Sequence, residues 1–564
     1  MVSAVEYEIR NSIDEYKNFI VEAGAGSGKT WSLVQALSYI IENKANIYER
    51  ENKKVVCITY TNIAKDEIIH RIKSNQIVQV NTIHEFLWSV IKPFQAEIRS
   101  ELINYYERKN EKPDKNYDDY SSIIQQLKEY RPSIKYQEYK VHKDGIITHG
   151  DVLWIFSAML SKYKILKKII EDSFPIIFID EYQDSDTNII DSLLTTFSTS
   201  EKIVFGFFGD HYQKIYDNSI GRVNTNKYNL KSIKKNENYR CSTEVINILN
   251  KLRNDIKQVA MGEEKKGKCM FYYLPNFNEI EDGFKRRIKS DFVGLEIYDF
   301  QKLYLVNKKI ATVNNYLNLY QLYNSNKRYS DKYKKKEYIL KNSANRDCDY
   351  ANLLYEIHNL IKLFRDDRAQ DLMKKVALNV TNKRDLDEIY SKLKNLVELR
   401  KNATIGEVFE DVITNKIIKV KQDTVKEIQE ETEEFIRMLK DIKYQEFENL
   451  YNTLQNDSMI STQHGTKGAE FDNVLCFIDD GEWRNYSLED YLINNSDMRK
   501  KRIIERTRNL FYVVCSRAKH NLVIVCKSSL SLSAQIRIRD IFGDSNFITS
   551  ESLESIYTRE EILN

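Results

Sequence analysis

The sequence predicts an α/β fold with two parallel-sheet domains, each interrupted by a largely helical insertion. Three observations carry this prediction. Through the first 240 residues, short apolar runs ending in polar or glycine-bearing turns alternate with helical patterns, as buried parallel strands and their crossovers do. Strand-like runs return after residue 240 and again after residue 450. Between those returns, residues 314–450 are rich in Lys, Glu and Asp and contain no proline.

Taken in order, FIVEAG (19–24), VVCITYT (55–61), IIFIDEYQD (176–184) and IVFGFFGD (203–210) read as strands of the first domain. Their polar ends are where open α/β sheets bind ligands. From Phe94 to about His149 the chain turns polar and helical, with Pro113 and Pro132 as breaks. KLYLVNKKIA (302–311), NVLCFID (473–479) and NLVIVC (521–526) supply strands of the second domain. VKEIQEETEEFIRMLKDI (425–442) has helical periodicity with Glu and Lys on its outer face. The expected division is a first domain at 1–95 and 150–240 with an insertion at 96–149. A second domain follows at 241–313 and 451–564, with an insertion at 314–450.

Composition narrows the class. A chain of 564 residues, 42% hydrophobic and 30% charged, is an ordinary globular protein of more than one domain. No apolar run approaches the ~20 residues of a membrane helix, and the N-terminus has no secretory pattern. Seven cysteines without a CxxC pair argue against a zinc site or a disulfide framework and suit a cytoplasmic setting. With a formal charge of +3, any nucleic-acid site must be a local groove.

The chemistry begins at AGAGSGKT, where Ala23, Gly24, Ala25, Gly26, Ser27 and Gly28 join an apolar strand to a helical run. Backbone N–H groups of such a loop cradle phosphates, Lys29 places a charge on the β- and γ-phosphates, and Thr30 can ligate magnesium. ATP with Mg2+ is the implied ligand. In IIFIDEYQD two adjacent carboxylates end an apolar strand, a costly arrangement without a cation or a water to serve. Asp180 is placed to hold magnesium and Glu181 to polarise the attacking water.

The phosphate loop, DEYQD, FGDHYQKIY (208–216), ENYRCSTEVI (237–246), STQHGTKGAEF (461–471) and FYVVCSRAK (511–519) resemble the motifs of UvrD/Rep/PcrA-like superfamily 1 DNA helicases, in the same order. VVCITYTNIAKDEIIHRI (55–72) and VNTIHEFL (80–87) complete the set. The resemblance implies two RecA-like P-loop NTPase domains, each with a largely helical insertion, and 3′→5′ movement on single-stranded or tailed DNA. It implies that Gln213 senses the γ-phosphate and that Arg240 and Arg517 act as arginine fingers, stabilising charge on the transferring phosphoryl group. It places Glu470 near the nucleotide sugar or a closure contact. For DNA it implicates Thr59, Thr61, Asn62, Thr82, His84 and His464 as polar contacts, with Tyr60, Phe86 and Tyr216 as stacking platforms. Lys467 reads as a structural or phosphate contact.

The chain departs from the pattern in places. No glutamine precedes residue 35 to read adenine, and Trp31 stands where relatives place an arginine. Tyr239 can stack on the base, opposite Trp31. The tryptophan after IYG is absent, since Tyr216 leads into DNSIGR. Only 38 residues follow Cys526, too few for a fused nuclease. Two readings stand side by side: an ATP-driven DNA translocase or helicase, and a DNA-sensing ATPase that controls a separate nuclease subunit. The second is prompted by the short insertions and the altered IYDNSIG segment (215–221); with the run TIHEFLWSVIKPF (82–94) they resemble the helicase subunit of Gabija-type anti-phage systems, and NKRYSDKYKKKEY (326–338) is one candidate partner surface. A phosphate-binding structural protein or kinase is disfavoured, because Arg240 and Arg517 match no substrate-kinase pattern.

Overall fold

The structure is a computed structural model that describes residues 3–111, 120–137, 140–263, 265–325, 349–377, 382–431, 433–454 and 459–553. The basic stretch 326–338 lies outside the described residues.

Six strands form the first sheet: β1 (Phe19–Ala23), β2 (Val55–Thr59), β3 (Val78–Thr82), β4 (Ile176–Asp180), β5 (Val204–Gly209) and β6 (Lys231–Lys235). Their order is β3-β2-β4-β5-β1-β6, and the pairing is parallel throughout. β1, β2, β4 and β5 are buried along their whole length, which is why they read as continuous apolar runs. Successive side chains point to opposite faces. Ile20, Val56, Ile58, Ile177 and Ile179 accordingly enter one core, and Phe19, Val21, Cys57, Ile176 and Phe178 the other.

The helices Gln95–Glu111, Ser121–Glu129 and His149–Lys162 bury Ile98, Leu102, Leu127, Val152 and Ile155 in the first of these cores. The first helical insertion therefore shares the hydrophobic core of the sheet. Because β5 lies between β4 and β1, the loops after these three strands end side by side. They carry Asp180–Glu181, Asp210 and the phosphate loop.

A second six-stranded sheet is built from β7 (Cys269–Tyr273), β8 (Gln301–Tyr304), β9 (Ile460–Thr462), β10 (Phe471–Ile478), β11 (Ala518–Cys526) and β12 (Phe547–Thr549), in the order β9-β8-β10-β11-β7-β12. The β7–β11, β7–β12 and β8–β9 pairs are parallel. The chain divides into two compact units, Met1–Arg287 with Lys467–Val474 and Arg484–Asn564, and Ile288–Thr466 with Leu475–Trp483.

Two local expectations change. The strand expected over 302–311 ends at Tyr304, and Asn307–Val313 is helical with Ile310 and Ala311 buried. The single helix expected over 425–442 is two, Gln422–Glu430 and Glu434–Lys440. Glu431 between them has φ +49°, a left-handed conformation that ends a helix. The break lets Ile428 and then Phe435, Ile436 and Leu439 all turn inward. Among the described residues no helix is long and apolar enough to cross a membrane.

Candidate nucleotide site and nucleic-acid interface

The phosphate loop leaves β1 and enters the helix Lys29–Arg50 through Gly28 at φ +77°, a conformation glycine adopts without strain. Gly26 is also left-handed, and a Cβ there would lie 2.7 Å from Asn238 Oδ1. Residues 238–258 hold the loop in place. Asn238 Nδ2 and Gln258 Nε2 donate to the Ala25 carbonyl at 2.9 and 2.8 Å, and Tyr239 N–H donates to Gly26 O at 3.0 Å.

Lys29 Nζ lies 3.0 Å from both carboxylate oxygens of Glu181. Burial works against the lysine charge, but Glu181, Asp210 and Asp180 outweigh it and leave the Lys29 pKa raised. Asp180 and Glu181 are adjacent carboxylates that cannot ionise equally. Burial and the Glu181 charge push the Asp180 pKa up. Burial would raise Glu181 too, but Lys29 and Lys467 hold its pKa down. Glu181 sits at φ +48°, an uncommon backbone for a non-glycine residue. Gln183 Nε2 donates to Glu181 Oε2 at 2.5 Å.

The γ-phosphate candidates converge on this pair. Gln213 is buried, donating from Nε2 to Asp210 Oδ2 at 3.0 Å and accepting from Arg517 Nη2 at 3.3 Å. Arg517 also donates to Ala469 O at 2.8 Å and to Val513 O at 3.2 Å. Burial and the neighbouring Arg240 guanidinium lower its pKa to about 10. Two guanidiniums held close enough to repel make a site for an anion. Arg240 reaches Glu470 Oε2 and Ser516 O, each at 2.9 Å, and its buried Nε has no hydrogen-bond partner among the described residues. Glu470 is thus an ion-pair partner of Arg240. Lys467 pairs with Asp184 and donates to Gln213 O at 2.9 Å.

The donor set fits a magnesium–nucleotide ligand. The Ser27 hydroxyl in the loop is buried without a hydrogen-bond partner among the described residues, and Asp180 bears a raised pKa that a divalent cation would relieve. Trp31 and Tyr239 are 46% and 51% exposed, so both rings are open to a base.

Sequence reading missed the residues behind this site. Arg253 and Asp210 form an ion pair at 3.2 Å with fully buried side chains. The Tyr512 hydroxyl accepts from Arg253 at 2.7 Å and from Ala25 N–H at 3.5 Å, and donates to Asp210 at 3.2 Å. Asp210 is therefore a hub joining Gln213, Arg253 and the phosphate loop. Asp210 and Tyr512 lay inside motifs already quoted, whereas nothing around Arg253 marks it.

Among the DNA candidates, Tyr60 and Tyr216 stack on each other, with centroids 5.5 Å apart and planes at 25°. With Thr59, His84, Asp180 and Asp184 they line a cavity of about 230 Å³. Thr61 and Asn62 are exposed at the start of the helix Asn62–Arg71. Thr82 caps the helix Ile83–Ile91. The His84 ring lies 4.7 Å from His149, and burial followed by that neighbour lowers its pKa to about 4. His464 belongs to the second unit, where its ring is 5.3 Å from Trp483.

Two candidates fail. Phe86 has no exposed surface and packs edge-on against Phe174 at 5.4 Å, so it is a core residue and no stacking platform. Thr59 is buried and its hydroxyl donates to Thr61 O at 3.1 Å, which leaves no donor for a phosphate.

Comparison with known proteins agrees with this geometry. A family described as "AAA domain" matches residues 7–219. The chain is 27% identical to the Gabija protein GajB of Bacillus cereus (strain HuB5-5), over 95% of this chain and 96% of that protein. It is 24% identical to the Gabija protein GajB of Bacillus cereus (strain VD045), over 90% and 92%. It is also 24% identical to the ATP-dependent DNA helicase Rep of Buchnera aphidicola subsp. Baizongia pistaciae, over 41% and 40%. Motif order and the parallel sheets agree with these likenesses: the chain is similar to UvrD/Rep-like helicases and has a RecA-like P-loop fold.

Proposed function

We propose that the protein hydrolyses ATP to move along DNA, as a translocase or helicase of 3′→5′ polarity. The observation that carries the reading is the convergence of Lys29, Asp180, Glu181, Gln213, Arg240 and Arg517 around the phosphate loop. Lys29 exchanges Glu181 for the β- and γ-phosphates, and the freed Glu181 carboxylate polarises the attacking water. Arg240 and Arg517 stabilise charge on the transferring phosphoryl group, and Gln213 passes its state to Asp210 and Lys467. Magnesium, when bound, would neutralise phosphate charge, held by Thr30 and Asp180. The Tyr60–Tyr216 pair supplies a sequence-tolerant stacking surface for single-stranded DNA. The polarity rests on likeness to helicases bearing the DExQD motif.

Steady-state ATPase assays with and without single-stranded DNA across a salt series test this reading. Stimulation by DNA is expected, with DNA affinity falling as salt rises through counterion release. Equal rates with and without DNA across the series would remove the motor.

A second reading is favoured by one observation: the Gabija relatives align over 90% or more of the chain, the Rep relative over 41%. In that reading the protein is a cytoplasmic DNA-sensing ATPase that controls a separate nuclease subunit in anti-phage defence, without processive unwinding. A strand-displacement assay on the purified chain, alone and with its partner, separates the two.

A further inference from the structure

The second unit contains a cavity of about 390 Å³, within the ~300–1,000 Å³ of small-molecule sites. The helix Asp349–Arg365 contributes His358, Lys362 and Arg365, spaced so that they share one face. Arg400 and Lys401 come from the end of the helix Lys383–Leu399, and Glu448 from the helix Tyr444–Leu454.

Charge here does not balance. Four cations, Lys362, Arg365, Arg400 and Lys401, line the cavity with two carboxylates, Asp366 and Glu448. Glu448 pairs with Arg400, and Lys401 pairs with Glu398 at 2.7 Å. Among the described residues no salt bridge to Lys362 or Arg365 is formed. The partial negative charge at helix C-termini, roughly half a unit each, offsets part of the surplus.

Two buried polar groups lie beside the cavity. Arg400 and His358 are 8% and 7% exposed; among the described residues Arg400 Nε has no hydrogen-bond partner, and His358 Nδ1 lies 3.7 Å from Glu448 Oε1. Burial lowers the His358 pKa to about 4, with Arg400, Lys362 and Arg365 adding to the shift.

We propose that this cavity binds the phosphoryl group of a small anion, as free pyrophosphate or as the terminal phosphates of a nucleotide, separately from the phosphate loop. Arg400 presents a planar fork suited to phosphate oxygens, and Lys362 and Arg365 supply charge at the rim. A cavity of about 390 Å³ with one buried guanidinium, Arg400, favours a compact anion over a nucleic-acid strand, which would need an extended groove.

The test uses full-length protein carrying Lys29→Ala, which weakens the phosphate loop, and titrates it calorimetrically with inorganic pyrophosphate and with ADP. The same protein with Lys362→Ala and Arg365→Ala added is titrated in parallel. Both side chains are exposed, so an unchanged melting temperature is expected. Loss of pyrophosphate affinity by at least tenfold in the triple variant supports the site. ADP binding tighter than pyrophosphate then assigns it to a nucleotide, and equal affinity to the free anion. Indistinguishable affinities in the two proteins overturn the proposal. So does a short single-stranded oligonucleotide that displaces pyrophosphate only where Lys362 and Arg365 are intact, because the occupant is then a nucleic-acid strand.

Discussion

Lys29 and Glu181 meet across 3.0 Å, and the two are expected to fail in different ways when replaced. Lys29→Ala weakens nucleotide binding, since phosphate charge is left unneutralised. Glu181→Gln retains ATP and DNA binding but cannot activate water. Measuring kcat beside nucleotide Kd checks both, and a kcat within tenfold of the parent for either variant contradicts the assignment. Alanine at Arg240 or Arg517 is expected to cost about 10³–10⁵-fold in kcat with affinity nearly intact. A Kd that rises as steeply as kcat falls would make them binding residues. Lys29 and Glu181 were legible because phosphate chemistry demands fixed residue types at fixed spacing, and Arg240 and Arg517 only through the resemblance of their motifs. Arg253 was not, because its role depends on meeting Asp210 and Tyr512, and nothing local in the sequence reports a contact across such separations.

Elements show the same limit from another side. Four strands of the first sheet, β1, β2, β4 and β5, were legible because each is an apolar run ending in chemistry; β3 and β6, polar and partly exposed, were not. The TxH segment was legible as a motif, but not which of its side chains face the core. On the helix Ile83–Ile91 the buried stripe is Phe86, Leu87, Val90 and Ile91, and it takes Phe86 with it. Phe86→Ala should therefore act on folding, destabilising the protein by about 3–5 kcal/mol as a truncated core aromatic does. Chemical denaturation reads this, and a stability unchanged by the substitution would restore Phe86 to the surface. Tyr60→Ala and Tyr216→Ala should do the reverse, leaving stability and basal hydrolysis in place while reducing DNA stimulation. Loss of basal activity in either variant would show the pair to be structural.

For the molecule as a whole, pull-down of the tagged chain from its native host distinguishes a partnered defence ATPase from a solitary motor. A co-purifying nuclease that is lost on deleting residues 314–450 is the outcome expected of the partnered reading. A lone chain that unwinds 3′-tailed duplexes unaided counts against it. The pairing of Lys29 with Glu181 has a consequence for either. In the proposed mechanism the lysine that meets the phosphates is also the ion-pair partner of the carboxylate that polarises water. Arrival of the nucleotide and release of the base become one event.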